Sequence, residues 1–203
     1  MTPLSETTVE PLAADPGALN RGDRNGNPPG MGLLALLRED LRTHGGSILE
    51  QGFWAVATHR FGNWRMGIRF KPLRAPFTVI YRFLYLFVEI TTGISLPYTV
   101  ALGRRVRIWH HSGIILNARA IGDDVHIRQN TTMGVISVER FQDIPTIGNR
   151  VEIGCGACIL GGITVGDDSI IGANAVVRSD VPPDSLAVGV PARILPKTKG
   201  DRG

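Results

Sequence analysis

Two cysteines, Cys155 and Cys158, are the whole thiol content of the 203 residues. So few exclude a disulfide framework, and a reducing, cytoplasmic setting is expected. The pair reads Cys-Gly-Ala-Cys. A zinc site needs four ligands, and neither a second Cys pair nor a close His pair exists, so no metal is expected. Aromatic residues make up only 6%. The arginines at residues 60–74 and 104–107 carry no interleaved aromatic motif for nucleic acid, so no nucleic-acid partner is expected. The net charge of +4 is too small to name a partner, and a solvated basic face accounts for it. Long apolar runs are missing as well. The strongest, residues 77–90, is broken by Arg82 and Glu89 and falls short of the roughly 20 residues a membrane span requires. A packing helix is expected there, with peripheral contact at the inner face of a membrane as the alternative. The first residues lack the basic start, apolar run and cleavage site of a signal peptide. Residues 1–30, rich in Pro, Gly, Asn, Asp and Thr, read as a structureless leader. No GxSxG elbow, Walker loop or Rossmann fingerprint is present.

What the chain does have is glycine, 25 residues of it, mostly in the second half. Residues 31–94 come before that half and carry apolar residues at helical spacing. Leu33, Leu36, Leu37 and Leu41 form one stripe, ended by Gly45-Gly46, and Phe53, Val56, Ala57 and Phe61 form a second. Phe77, Ile80, Tyr81, Leu84, Phe87 and Val88 form a third. From residue 95 to 195 the period changes to six. An aliphatic residue followed by Gly recurs at Leu102, Ile121, Met133, Ile147, Ile153, Val165 and Ile171. Small residues such as Ala157, Ser169 and Ala175 stand four positions on. Six-residue units of this kind build a parallel β-helix, three units to a triangular coil, with aliphatic side chains stacking from coil to coil. The predicted fold is therefore mainly β: a left-handed parallel β-helix with a small N-terminal α-helical subdomain and a short tail at 196–203. Residues 139–146 fit no unit and read as a loop thrown out of the solenoid, a common place for function.

Five histidines are candidates for chemistry. His44 and His59 lie in the helical half and read as structural; His126 reads as an exposed strand position. His110 and His111 sit together at a coil corner, in Trp109-His110-His111-Ser112-Gly113. With one extra residue allowed before Ile115, the positions stacked above His110 are Gln129, Cys155 and Ala173. Such an edge, a histidine low down and small residues above it, makes a groove for a long thin ligand beside a general base.

The repeat, the corner histidine, the loop and the closing Val188-Gly189-Val190-Pro191-Ala192-Arg193 resemble the serine acetyltransferase branch of the hexapeptide acyltransferases. The resemblance runs from Arg38-Glu39-Asp40 through Thr58-His59-Arg60 to Arg193. It implies a homotrimer, with a dimer of trimers as a larger assembly, and active sites between neighbouring prisms. It also implies acetyl-CoA as co-substrate and His110 as the base that activates the acceptor hydroxyl. Positions that line the cofactor in that family map to Gly134, Val135, Cys155, Ala173, Pro191 and Arg193. Three positions depart from it. The Asp expected before the catalytic His is Trp109, the loop's Arg-His pair is Asp143-Ile144, and a supporting Asp one coil earlier is Ile94. The chain thus looks closer to exopolysaccharide members such as the colanic acid acetyltransferases, which share a His-His corner, an Asn matching Asn117 and a Gly-Asp-Asp matching Gly122-Asp123-Asp124. Trp109 would offer a surface to a sugar ring, and His111 or Asp143 would assist His110. The expected activity is acetyl transfer to a sugar hydroxyl in exopolysaccharide synthesis, carried by His110 with Trp109, His111 and Asp143 at the acceptor. The alternatives are serine O-acetylation for cysteine synthesis and a non-catalytic trimeric scaffold.

Overall fold

The computed structural model describes residues 20–198. The six-residue unit translates into three sheets that form the sides of a triangular prism. The first holds Ile94–Ser95, Ile114–Leu116, Thr132–Gly134, Cys158–Leu160 and Val176–Val177. The second holds Ala101–Leu102, Ala120–Ile121, Thr146–Ile147 and Thr164–Val165. The third holds Arg107–Ile108, His126–Ile127, Glu152–Ile153, Ile170–Ile171 and Ser185–Val188, closed by the antiparallel strand Arg193–Pro196. Three parallel sheets wound in turn by successive six-residue units make a left-handed β-helix, and helices precede it.

Register explains the core. Leu102, Ile121, Ile147 and Val165 stack in one column, and Ile108, Ile127, Ile153, Ile171 and Ala187 in another. Leu116, Met133, Ile159 and Val177 make the third. All are at most 2% exposed, and each buried aliphatic contributes about 1.5–3 kcal/mol relative to exposure. The corner between the second and third sheets puts Arg105, Asp124, Arg150 and Asp168 in the left-handed region. Their side chains close a ladder of ion pairs, Arg105 to Asp124 and Arg150 to Asp168, both at 2.6 Å. The charges of that edge satisfy one another.

Three helices cap the prism's base: α1 (Leu33–Thr43), α2 (Gln51–Trp64) and α3 (Lys71–Thr92). Arg60 and Asp40, both fully buried, join α2 to α1, and Arg60 also donates to the carbonyls of Leu102 and Gly103 in the prism. His44 and His59 are structural here. His44 Nδ1 meets the Asp40 carbonyl at 2.7 Å, and its Nε2 accepts the Ile108 amide. His59 donates from Nε2 to the Val100 carbonyl at 2.8 Å, leaving Nδ1 buried and bare. Burial and the neighbouring Arg60 push its pKa down to about 3. The unfolded chain therefore binds a proton that the native state refuses between about pH 6.5 and 3. Stability should fall on acidification through that window, by about 1.4 kcal/mol per pH unit from this group. Thermal unfolding at pH 7 and pH 5 checks it: the drop should be smaller in His59→Gln, and an equal drop would contradict the assignment.

Two sequence expectations change. The third apolar segment is not simply a packing helix. Tyr81 and Val88 face inward, but Val79, Ile80, Phe83, Leu86, Phe87 and Ile90 lie between 45 and 73% exposed on the opposite face. Both faces being apolar, spacing alone could not say which one packs. No helix among the described residues is long and apolar enough to cross a membrane. The second change concerns the leader. Residues 1–19 lie outside the described residues, but 20–30 are tied to the body. The Gly26 amide donates to Asn63 Oδ1, and Asn27 donates to the Arg60 carbonyl. Gly22 lies so close to the Tyr98 ring that a Cβ there would meet its hydroxyl at 2.5 Å.

Candidate active site

The edge between the third and first sheets carries the histidine pair. In the regular coils, the amide of the residue after the corner position bonds to the corner carbonyl below it: Gly156 to Gln129 at 3.0 Å and Asn174 to Cys155 at 2.8 Å. The lowest coil repeats this with Asn130 bonding to Ser112 at 3.1 Å. Trp109 is still regular, since its amide meets the Ile127 carbonyl at 2.8 Å. His110 and His111 together are therefore an insertion of two residues, not one, between regular positions. That excess pushes both out into solvent. His110 adopts φ +64° and Ser112 φ +78°, a conformation that costs a non-glycine residue about 1 kcal/mol. Above them Gln129, Cys155 and Ala173 follow one another up the edge, each two residues past a stacked isoleucine. The chain at 189–192 closes the top. Gly189 accepts the Val176 amide and Ala192 donates to the Val176 carbonyl, leaving Pro191 and Arg193 exposed beside the edge.

Neither expected helper reaches His110. His111 Nδ1 lies 3.0 Å from Ser112 Oγ. Asp143 belongs to another edge. Trp109 folds back along the third sheet, its ring 3.5 Å from the Arg107 guanidinium and edge-on to His126, with Nε1 buried and unpartnered. Ile94, at the family's supporting-Asp position, is a core residue.

The remaining predicted residues lie on the edge between the first and second sheets. Gly134, Leu160 and Arg178 form its column, since Leu160 pairs with Gly134 and Arg178 follows the Val177–Ile159 pair. From Gln129 to Gly134 is one side of the triangle, roughly 15 Å of extended chain. Gly134 is buried, yet a Cβ built on it would find no atom within 4 Å. Its missing side chain therefore leaves a free slot against the backbone, where a ligand can approach closely. Val135 begins the loop, which runs through the short 3-10 turn Val138–Arg140 and re-enters the prism at Thr146–Ile147. Ile144 and Pro145 are buried as its anchor.

At this edge the loop encloses a cavity of about 270 Å³ lined by Ile136, Arg140, Asp143, Gly161, Gly162, Ile163 and Arg178. Arg140 reaches Asp143 Oδ2 at 2.5 Å from both Nε and Nη2. Arg140 and Arg178 were missed in the sequence. Arg178 had a usable signal: it stands as far beyond Leu160 as Ala173 stands beyond Cys155. The predicted residues thus divide between two edges. His110, Cys155 and Ala173 occupy one; Gly134, Val135 and Asp143 occupy the other. No group of three or more His, Cys, Asp or Glu among the described residues is placed to hold a metal.

Comparison with known proteins fits this architecture. A family model described as bacterial transferase hexapeptide (six repeats) matches residues 144–179. A serine acetyltransferase of Helicobacter pylori (strain J99) is 42% identical over 124 residues, 61% of this chain and 72% of the relative. One of Mycobacterium tuberculosis is 37% identical over 155 residues, 75% of this chain and 64% of the relative. A solved structure of soybean serine acetyltransferase complexed with serine superposes with a TM-score of 0.66 at 29% identity, over 80% of this chain and 69% of that one. The chain spans between 54 and 72% of the length of such curated relatives. These findings correct the expectation of a sugar acceptor. The relatives are named for serine.

Proposed function

The chain belongs to the serine acetyltransferase family, and from that premise we propose that it transfers the acetyl group of acetyl-CoA to the hydroxyl of L-serine, in a homotrimer with its sites between prisms. The observation that carries this reading is the division of the site over two edges. One prism cannot bring His110 to Gly134 and the loop, because a side of the triangle separates them; a neighbouring prism can. Acetyl-CoA supplies the thioester. Cys155 and Ala173 on one edge, with Gly134 and Val135 on the other, flank it, and Pro191 and Arg193 lie at the top of the groove. His110 takes the proton of the acceptor hydroxyl as its oxygen bonds to the thioester carbon. The C–S bond then breaks and the proton passes to the departing sulfur.

Mixing two dead chains tests the assembly. His110→Ala removes the base, and Gly134→Phe fills the slot on the other edge. Co-expressed in equal amounts, they should recover about a quarter of wild-type activity, because a site pairing the two intact edges forms at that frequency in a mixed ring. No recovery would place the whole site on one chain. The outer face of α3 supports a separate proposal. Its apolar arc, with Arg69, Lys71 and Arg82 exposed nearby, fits a peripheral seat on an anionic lipid surface. Co-sedimentation with phosphatidylglycerol vesicles but not phosphatidylcholine vesicles is expected, and no pelleting with either removes the idea.

A further inference from the structure

The cavity under the loop holds opposite charges in an arrangement the reaction described so far does not use. Asp143 is bound by Arg140 through Oδ2 alone, from two nitrogens, which leaves Oδ1 as an open acceptor. Arg178, across the same cavity, has an exposed guanidinium with no ion-pair partner among the described residues. Gly161 and Gly162 give the cavity a backbone floor, and Ile136 and Ile163 wall it. At φ +96°, a Cβ on Gly161 would strike Ile136 Cδ1 at 2.9 Å, so both the small residue and its backbone conformation are needed to keep the wall in place.

We propose that this cavity is the recognition site for the acceptor's two charges, with Arg178 binding the α-carboxylate and Asp143 Oδ1 binding the α-ammonium. The assignment rests on the serine reading above and deepens it, because it names the groups that select an amino acid over any other hydroxyl compound. Three observations carry it. The volume, about 270 Å³, is below the range of drug-sized pockets, so it suits a small solute and is too small for an oligosaccharide. A carboxylate is the natural partner of a free planar guanidinium, which offers it two parallel N–H donors. The Arg140 contact holds the Asp143 carboxylate in one rotamer, with its second oxygen free. A neutral sugar would leave the Arg178 charge unmatched and offer no cation to Asp143 Oδ1. The loop and Arg178 come from different coils, Arg178 lying two coils above Gly134, roughly 10 Å along the prism axis. The clamp therefore forms only when the solenoid is folded, and a search confined to the loop would not find it.

The test separates recognition from chemistry. L-serine and L-serinamide share hydroxyl and ammonium, but serinamide lacks the carboxylate. Wild type should prefer serine by at least ~100-fold in kcat/KM, as expected where a site is built around a charged partner. Arg178→Ala should raise KM for serine at least ~10-fold and bring the two acceptors close to parity, with KM for acetyl-CoA unchanged; Arg178→Lys should recover part of the preference. Asp143→Asn should instead weaken both acceptors, since both carry the ammonium. Equal use of serine and serinamide by wild type overturns the assignment, and so does an unchanged serine KM in Arg178→Ala. Calorimetric titration of L-serine into the His110→Ala protein reads binding without turnover. Binding that disappears when Arg178→Ala is added supports the clamp. Binding indifferent to Arg178, or no binding, overturns it. Arg178-dependent binding in a wild type that makes no acetylserine would instead remove the serine O-acetyltransferase reading and leave the clamp.

Discussion

His110→Ala should lower kcat by ~10²–10⁴-fold, the usual contribution of a positioned general base, while acetyl-CoA still binds. No nearby group can take over. His111 is held against Ser112 Oγ at 3.0 Å, His126 is turned edge-on to Trp109 one coil up, and the Asp143 that a neighbouring prism brings near is already bound by Arg140. The two-residue insertion matters here. It lifts His110 off the corner column into solvent, where an acceptor held by a neighbouring prism can reach its ring. Deleting His111 should therefore cost activity too, by drawing His110 back toward the column. CoA release with L-serine, set beside calorimetric binding of CoA, is the measurement. Equal turnover in wild type and His110→Ala would sink the assignment, and loss of CoA binding would show that the variant had damaged the groove rather than the base.

The prism was legible because a six-residue repeat makes one physical demand in every unit: an aliphatic inside, then a residue small enough for the next coil to pass. A Cβ on Gly154 would stand 2.5 Å from the Ala173 amide nitrogen, and one on Gly122 would stand 2.6 Å from the Gly148 carbonyl. Those glycines could not be anything larger, so the pattern shows through. The column of Gln129, Cys155 and Ala173 followed from the same count. Irregular features leave no such trace. The length of the corner insertion at His110 was read one residue short, because an exposed insertion has no period. The loop's ion pair was missed because Arg140 and Asp143 meet only through a 3-10 turn. The sugar expectation came from asking whether charges stood at the positions where a relative keeps them. Charge at a site is fixed by what the fold brings together, and Arg178 arrives there from a coil that belongs to no loop. Helix α3 was legible as a packing helix, but with apolar residues on both faces its period locates the helix and leaves its orientation open.

Asp40→Ala should destabilise the fold by about 3–5 kcal/mol, the range for breaking a buried ion pair from one side. Arg60 has no exposed atom to offer water. Its Nε sits 3.0 Å from Asp40 Oδ2, and its terminal nitrogens donate to the Leu102 carbonyl at 2.9 Å and the Gly103 carbonyl at 2.5 Å. Removing Asp40 keeps the cation in place and strips away its only carboxylate. Burial pushes the Asp40 carboxyl upward in pKa even against the pull of Arg60, so desolvation is already a heavy charge on this pair. A drop in Tm of roughly 10 °C is expected for a chain of this size. The reverse experiment is the sharper one. Asp40→Leu combined with Arg60→Met removes both charges at once and should recover most of the loss, because an apolar pair of similar volume carries no desolvation cost. Activity should not return with it. Arg60 ties α2 to the Leu102 and Gly103 carbonyls of the lowest coil, the one that carries His110, and a Met side chain cannot donate to them. A double variant as stable as wild type yet slower in acetyl transfer would show that the buried pair sets where the catalytic corner sits. A double variant as fast as wild type would leave the pair a purely structural role.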